Sequence, residues 1–494
     1  MRKNRPGIRI LATLTGALVI GLAAGTAVAG YESEPAQPTS APAPQAEDIE
    51  LTSSLVCDGG IARTIQGGIN VENVDEEIVG WAGAYGSPDV IFAPVGDLDG
   101  ALTLDGALTF DGALPPDVAG TSALGVPELS GTLEVTGGIV AGASMHSATA
   151  GDLRGIAVNP CQWPTNTLWL VGGSSEVGSS LELTVTNPGL TQVSVAASAF
   201  SSRGELDLGA NSMLHLAPGS SRTVLLDGII PEDPRIALQL FSGTGPFTAS
   251  LQTSALDGVT PAGIDVVTSS DFGTNLVIPG LVIDPQSGPG GGTDTQEDGT
   301  LPDPATTAAL RMVNPNEDAA TVHISVLGAD GTVPLPGGSD VVVAAGSVLD
   351  LTLDGLAPGT YAIQVESTVD VSAGLSVTRT DAAGKDVAWL AAREPITDGG
   401  AVAIGPLEAR LVLVGSAEAT WWAYNTSGEQ LTENSVHVNG VSAIDIPAEA
   451  AFVVVSADTE LYGSVWIANE DGITSIPLTQ DSSTSQAVSL TVAN

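Results

Sequence analysis

Basic residues are what this chain has least of. Fourteen Lys and Arg stand against 57 Asp and Glu, for a net charge of −43. Four of the fourteen (Arg2, Lys3, Arg5, Arg9) precede the first apolar run, and beyond them Lys385 is the only lysine. A surface so acidic repels nucleic acid and anionic lipid headgroups, which excludes both as partners. Basic proteins, cations and neutral glycans remain open. Long amphipathic helical patterns are missing as well, and with them the Rossmann unit. No phosphate-binding Gly-x-x-x-x-Gly-Lys loop, Gly-x-Ser-x-Gly elbow or zincin helix motif occurs. No catalytic residues and no cofactor are therefore expected. With so many carboxylates, a glycosidase pair is not excluded by the sequence alone.

Cysteine is nearly absent too: Cys57 and Cys161 are the only two. In an exported protein such a pair is most simply a disulfide. Two cysteines without neighbouring histidine make a poor zinc set. Export itself is read from the N-terminus. Ile10 to Gly30 is uncharged and follows a basic segment, the pattern of a membrane anchor with its N-terminus in the cytoplasm. Ala27-Val28-Ala29 also fits a signal-peptidase site, so a cleaved signal is the alternative. Either way the remainder lies outside the cytoplasm. Residues 31–48, rich in Pro, Ala, Ser and Glu, read as a disordered stalk.

What is abundant is turn chemistry, with 60 Gly and 31 Pro among 43% hydrophobic residues. Much of it repeats. Leu183–Pro279 returns as Leu310–Pro406 at an offset of 127, with Asn187-Pro188 on Asn314-Pro315 and Leu226-Asp227-Gly228 on Leu353-Asp354-Gly355. Between the turns, runs such as Leu181–Thr186 alternate apolar and polar, the mark of half-buried strands. A fixed period of short strands predicts an all-β chain of tandem immunoglobulin-like β-sandwich units. A β-propeller-like array of four-stranded blades is the alternative. The expected organisation is a cytoplasmic tail and membrane or signal segment (1–30), the stalk (31–48) and an N-terminal β block closed by the disulfide (49–165). Sandwich repeats follow at 166–284 and 305–406, joined by a Gly/Pro acidic linker or loop (285–304), and a divergent third repeat occupies 407–494. Ala141-Gly-Ala-Ser144 echoes Ala373-Gly-Leu-Ser376, which hints that the first block is a further copy.

Few residues invite chemistry. Asp97, Asp99 and Asp105, in a six-residue Asp-Gly-Ala-Leu period, are candidate calcium ligands, although no EF-hand glutamate follows. His215, His323 and His437 sit in strand-like runs as solvent-facing imidazoles, and His146 follows Met145 in a similar strand. Aromatic residues are scarce at 4%, so Trp421-Trp422 with Tyr424 stands out. Alternation puts Trp422 and Tyr424 on one strand face and Trp421 on the other. One face belongs in a core, and Trp422 with Tyr424 is the candidate stacking platform for sugar rings. Trp163 and Trp169 flank Cys161 and are expected to pack on the disulfide.

At Cys161, Trp169-Leu-Val-Gly-Gly173, Leu181–Thr186 and Asn187-Pro188 the chain resembles a family of membrane-anchored extracytoplasmic proteins from high-GC Gram-positive bacteria, of actinobacterial type, classed as a domain of unknown function. That family usually has Pro after the first Cys, where this chain has Asp58. The resemblance covers Cys57 to the C-terminus and implies an exported all-β envelope protein without assigned catalytic residues. The functional expectation is a non-catalytic envelope scaffold or interaction protein, partnered by an envelope protein or cell-wall glycan. A glycan-binding module or carbohydrate-active enzyme is the alternative.

Overall fold

The alternating runs do become strands, and the connections between them reveal more copies than the period did. The computed structural model describes residues 52–61, 76–85, 90–93, 124–126, 130–136, 139–284, 306–335, 339–353, 355–381, 384–397, 399–405 and 407–480. The segment Ile10–Gly30, the stalk, the aspartates 97, 99 and 105, and residues 285–304 lie outside these. Among the described residues there is no α-helix, only one short 3-10 turn, and no helix is long and apolar enough to cross a membrane.

Four units share one topology. Unit 1 contains β1 (Thr52–Asp58), β2 (Glu76–Tyr85), β3 (Val90–Ala93), β4 (Leu124–Val126), β5 (Ser130–Thr136), β6 (Ile139–Ala148) and β7 (Gly155–Pro160). Its sheets are ordered β1-β5-β3 and β4-β2-β6-β7. Unit 2 contains β8 (Thr167–Val171), β9 (Ser179–Asn187), β10 (Val193–Ser201), β11 (Gly204–Leu206), β12 (Met213–Leu216), β13 (Ser220–Leu225), β14 (Ala237–Phe241), β15 (Thr248–Asp257), β16 (Thr260–Val267) and the short β17 (Ser269–Ser270). Its sheets repeat the order as β8-β14-β10 and β13-β9-β15-β16.

Unit 3 runs through β18 (Phe272–Ile283), β19 (Thr306–Asn314), β20 (Ala320–Gly328), β21 (Gly331–Val333), β22 (Asp340–Val343), β23 (Ser347–Thr352), β24 (Gly359–Asp381) and β25 (Gly384–Ala391). The long β24 belongs to both layers: its first half pairs with β18 and β20, its second with β19 and β25. Unit 4 comprises β26 (Gly400–Ala403), β27 (Ala409–Asn425), β28 (Gln430–Ile446), β29 (Ala450–Ala457), β30 (Leu461–Ala468), β31 (Ile473–Pro477) and β32 (Thr479–Gln480). There β27 passes through both layers, pairing with β29 at one end and β30 at the other, while β28 runs beside it along its length.

The all-β sandwich layering stands, but the connectivity differs from the immunoglobulin type. In an immunoglobulin domain the first strand joins the B–E sheet and the last joins the C–F sheet. Here β8, first in its unit, pairs with β14 in the C–F-like sheet, while β15 and β16 extend the B–E-like sheet. Alternation tells which face of a strand is buried and nothing about its neighbours, so the sequence could not separate the two arrangements.

The repeat is also phased differently. Strands β19 to β23 begin and end 127 residues after β9 to β13. Yet β18, drawn from sequence into the first repeat, pairs with β24 in the next unit, and β26 pairs with β29 in the last. A self-comparison finds the period of a repeat but not where each unit starts. As a result residues 285–304 fall between the first and second strands of unit 3.

The units close into a ring. β7 packs on β16, β16 on β25, β25 on β31, and β31 back on β7. Apolar clusters fill each junction: Ala157 with Ile264 between units 1 and 2, Trp169 with Val313 between 2 and 3, Ala362 with Val412 between 3 and 4, and Ala141 with Phe452 between 1 and 4. Each unit is thus a sandwich whose four-stranded sheet is set like a propeller blade, inner strand toward the axis.

The conserved-offset asparagines do structural work within this frame. Asn187 is fully buried, donates from Nδ2 to the carbonyls of Thr191, Leu216 and Ala217, and accepts from the Gly189 N–H. Asn314 repeats the set with Asp318, Val343, Ala344 and Asn316. Each brackets two turns that would otherwise leave buried carbonyls unpaired.

Candidate functional site

Several residues singled out from sequence hold the ring together. Cys57 and Cys161 form the disulfide. Trp163 packs beside it and donates from Nε1 to Gln480 O, whereas Trp169 packs instead against Phe200 and Phe272. Trp422 and Tyr424 share one face and Trp421 lies in the core of the other. The stacking platform needs correcting. Tyr424 is 1% exposed, and the partly buried Trp422 has its ring stacked on Tyr85 with centroids 5.7 Å apart. Both sit at the seam where unit 4 meets unit 1, which explains an aromatic cluster without a ligand. His323 and His437 are exposed, paired across strands with Asp340 and Glu418 at 2.9 and 2.7 Å. His215 bonds Ser194, while His146 is buried against Leu153 O rather than facing solvent.

Sequence reasoning missed the centre of the ring. Inner strands β7, β16, β25 and β31 are the edges of their sheets, and a buried edge leaves N–H groups without partners. Two carboxylates supply them. Asp386 on β25 accepts the N–H groups of Ile156, Ile264 and Ile473, one from each of the other three units, at 3.4, 3.2 and 2.7 Å. Asp265 on β16 accepts the Trp389 N–H at 2.6 Å and the Thr474 hydroxyl at 3.1 Å. Burial pushes the Asp386 carboxyl up to about 7, against the pull of its N–H donors. Asp265 is likewise raised well above the usual carboxylate range by burial, with the charge of Asp386 adding to it.

A four-fold signal for this centre exists in the chain: Gly155-Ile-Ala-Val, Gly263-Ile-Asp-Val, Gly384-Lys-Asp-Val and Gly472-Ile-Thr-Ser. The glycines let the edges meet. Gly263 has φ +120°, and a Cβ there would stand 2.6 Å from the Val387 nitrogen; a Cβ at Gly472 would collide with Asp386 Oδ2.

Beyond the carboxylates, the chain leaving each inner strand hooks back onto the first strand of its own unit. Gln162 bridges to Val56, Ser269 and Ser270 pair with β8, Arg393 bridges to Val277, and β32 pairs with β26. The disulfide locks the first of these hooks covalently. Together the four hooks wall a cavity of about 290 Å³, to which every unit contributes. Its charged residues are Asp271, Arg393 and Glu394. Burial raises the Asp271 carboxyl to about 6, and the Arg393 guanidinium draws it back. Among the described residues no group of three or more His, Cys, Asp or Glu is placed to hold a metal.

This architecture places the chain among multi-unit β proteins with a shared axial centre. The chain belongs to a family of unknown function, DUF5719, whose model matches residues 117–449. No curated protein matches it. Two solved structures show a distant likeness. One is described as the crystal structure of Thermotoga maritima 1070, at 18% identity over 24% of this chain and 92% of that one, with a TM-score of 0.19. The other is the BSP domain of a biofilm associated protein, at 9% identity over 88% and 96%, with a TM-score of 0.14. Neither likeness is close enough to carry an argument.

Proposed function

We propose that the chain is a non-catalytic scaffold or protein-interaction protein of the cell envelope, held outside the cytoplasm by its N-terminal segment as in the membrane-anchored family it resembles. One observation carries this reading: buried charged groups, Asp386 and Arg311 above all, bind the units to one another. Asp386 joins all four units. Arg311, 4% exposed, lies between units 2 and 3, pairs with Asp350 at 2.9 Å, and donates to the carbonyls of Gly173, Pro234 and Ile236. Side chains whose hydrogen-bonding capacity is filled by backbone serve stiffness rather than turnover. The disulfide supports an oxidising compartment, and the net charge of −43 supports an exposed, soluble surface.

The test has two arms. Externally added protease should reach the ring in intact wall-stripped cells, and protection until lysis would refute the location. Purified protein should pass through columns of cell-wall polysaccharide without delay. Retention that Trp422→Ala abolishes, with the fold intact, would replace the scaffold with a glycan-binding module.

A further inference from the structure

The charges that line the axial cavity are little used by the fold. Arg393 donates a single side-chain hydrogen bond, from Nη1 to Ser269 O at 3.0 Å. Its remaining side-chain N–H groups have no acceptor among the described residues. Asp271 accepts the Ser372 hydroxyl through its backbone carbonyl, and its carboxylate accepts no hydrogen bond from the described residues. Glu394 stands exposed beside them. Arg311, by contrast, fills its fork with two carboxylate oxygens and three carbonyls. A half-buried charge without a partner is unfavourable, and a chain that only needed a spacer here would tolerate apolar residues.

Arg393 and Asp271 line one cavity and feel one another's charge, yet they form no contact ion pair. Opposite charges held apart across a gap suit a guest that carries both signs. A simple anion would meet Asp271 and Glu394, and a simple cation would meet Arg393. At about 290 Å³ the space is at the small end of ligand sites, which run roughly 300–1,000 Å³.

We propose that this axial cavity binds a small zwitterion, a free α-amino acid or a dipeptide, with its carboxylate on Arg393 and its ammonium on Asp271 and Glu394. The site exists only when all four hooks are in place, so occupancy reports a closed ring.

Calorimetric titration of the full chain tests this with glycine and glycylglycine as probes. N-acetylglycine and glycinamide each remove one charge, and glucose serves as a neutral polar control. The zwitterions should bind at least about tenfold more tightly than either one-charge analogue. Glycine against glycylglycine decides between a free amino acid and a dipeptide. Asp271→Asn and Arg393→Gln should each weaken binding by about tenfold or more. The Asp271 carboxylate makes no hydrogen bond to the described residues, so Asp271→Asn keeps the test valid even where Arg393→Gln unfolds. The proposal is overturned by absence of saturable binding at millimolar zwitterion, by equal affinity for the capped analogues, by tighter binding of glucose, or by an Asp271→Asn variant that binds as well as the parent. None of these outcomes bears on where the protein resides.

Discussion

At the scale of single residues, Asp386 carries the most. Replacing it with Ala orphans three buried N–H groups on three units at once. At about 1–3 kcal/mol per orphaned group, the expected loss is roughly 3–9 kcal/mol, read as a lower urea midpoint. Its titration has a definite sign. The folded pKa of about 7 lies above the ordinary 3.8, so the folded state holds a proton that the unfolded state releases. Stability from this group is full below about pH 4 and is lost as pH rises through 7. A shift of that size corresponds to an upper bound on the order of 4 kcal/mol. The thermal midpoint should therefore be higher at pH 5 than at pH 8, and Asp386→Asn should flatten that slope. A midpoint that rises toward alkaline pH would refute this assignment. Nothing in the local sequence marked Asp386 out from 56 other carboxylates. Only the alignment of four glycine-led strands does so, and a motif of four residues is too short to notice before the units are known.

The strands themselves were largely legible, because burial of one face imposes a period of two on the residues along a strand. Leu181, Leu183 and Val185 are buried as the alternation requires, although Glu182 and Thr186 on the other face are buried as well, and Trp421 and Trp422 face opposite ways. Pairing was not legible, since any apolar strand face fits any other to first order. That is why β18 and β26 were assigned to the wrong neighbours and why Trp422 with Tyr424 looked like a platform instead of a seam. The hooks also escaped notice, being pairings of one or two residues without their own pattern. The disulfide was readable from cysteine count alone, and its place on the first hook gives it a specific consequence. Reduction, or Cys57→Ser with Cys161→Ser, should lower stability by roughly 4–5 kcal/mol on the chain-entropy model for a separation of 104 residues. Denaturant unfolding with and without reductant measures it, and unchanged midpoints would show that the hook holds unaided.

For the molecule as a whole, four sandwiches behave as one body, since every inner edge is completed by another unit. A fragment of residues 305–406 contains the sequence repeat but lacks β18, one of the two sheet partners of the first half of β24. It should be expressed as aggregate, while 272–397 should show strand structure by circular dichroism but lower stability than the ring. A stable, monomeric 305–406 fragment would count against shared construction. The intact ring should unfold in a single transition, and two well-separated transitions would assign independent stability to its units.

The bond from Asp386 back to Ile156 spans 230 residues, and the one forward to Ile473 spans 87. A chain delivered amino end first thus presents the bare inner edges of β7 and β16 long before their acceptor arrives. During that interval those edges are open to any passing strand. Assembly order, rather than final stability, then sets the hazard: a ribosome stalled ahead of residue 386 releases a chain with two sticky margins, whereas one stalled just past it releases a chain that has already covered them.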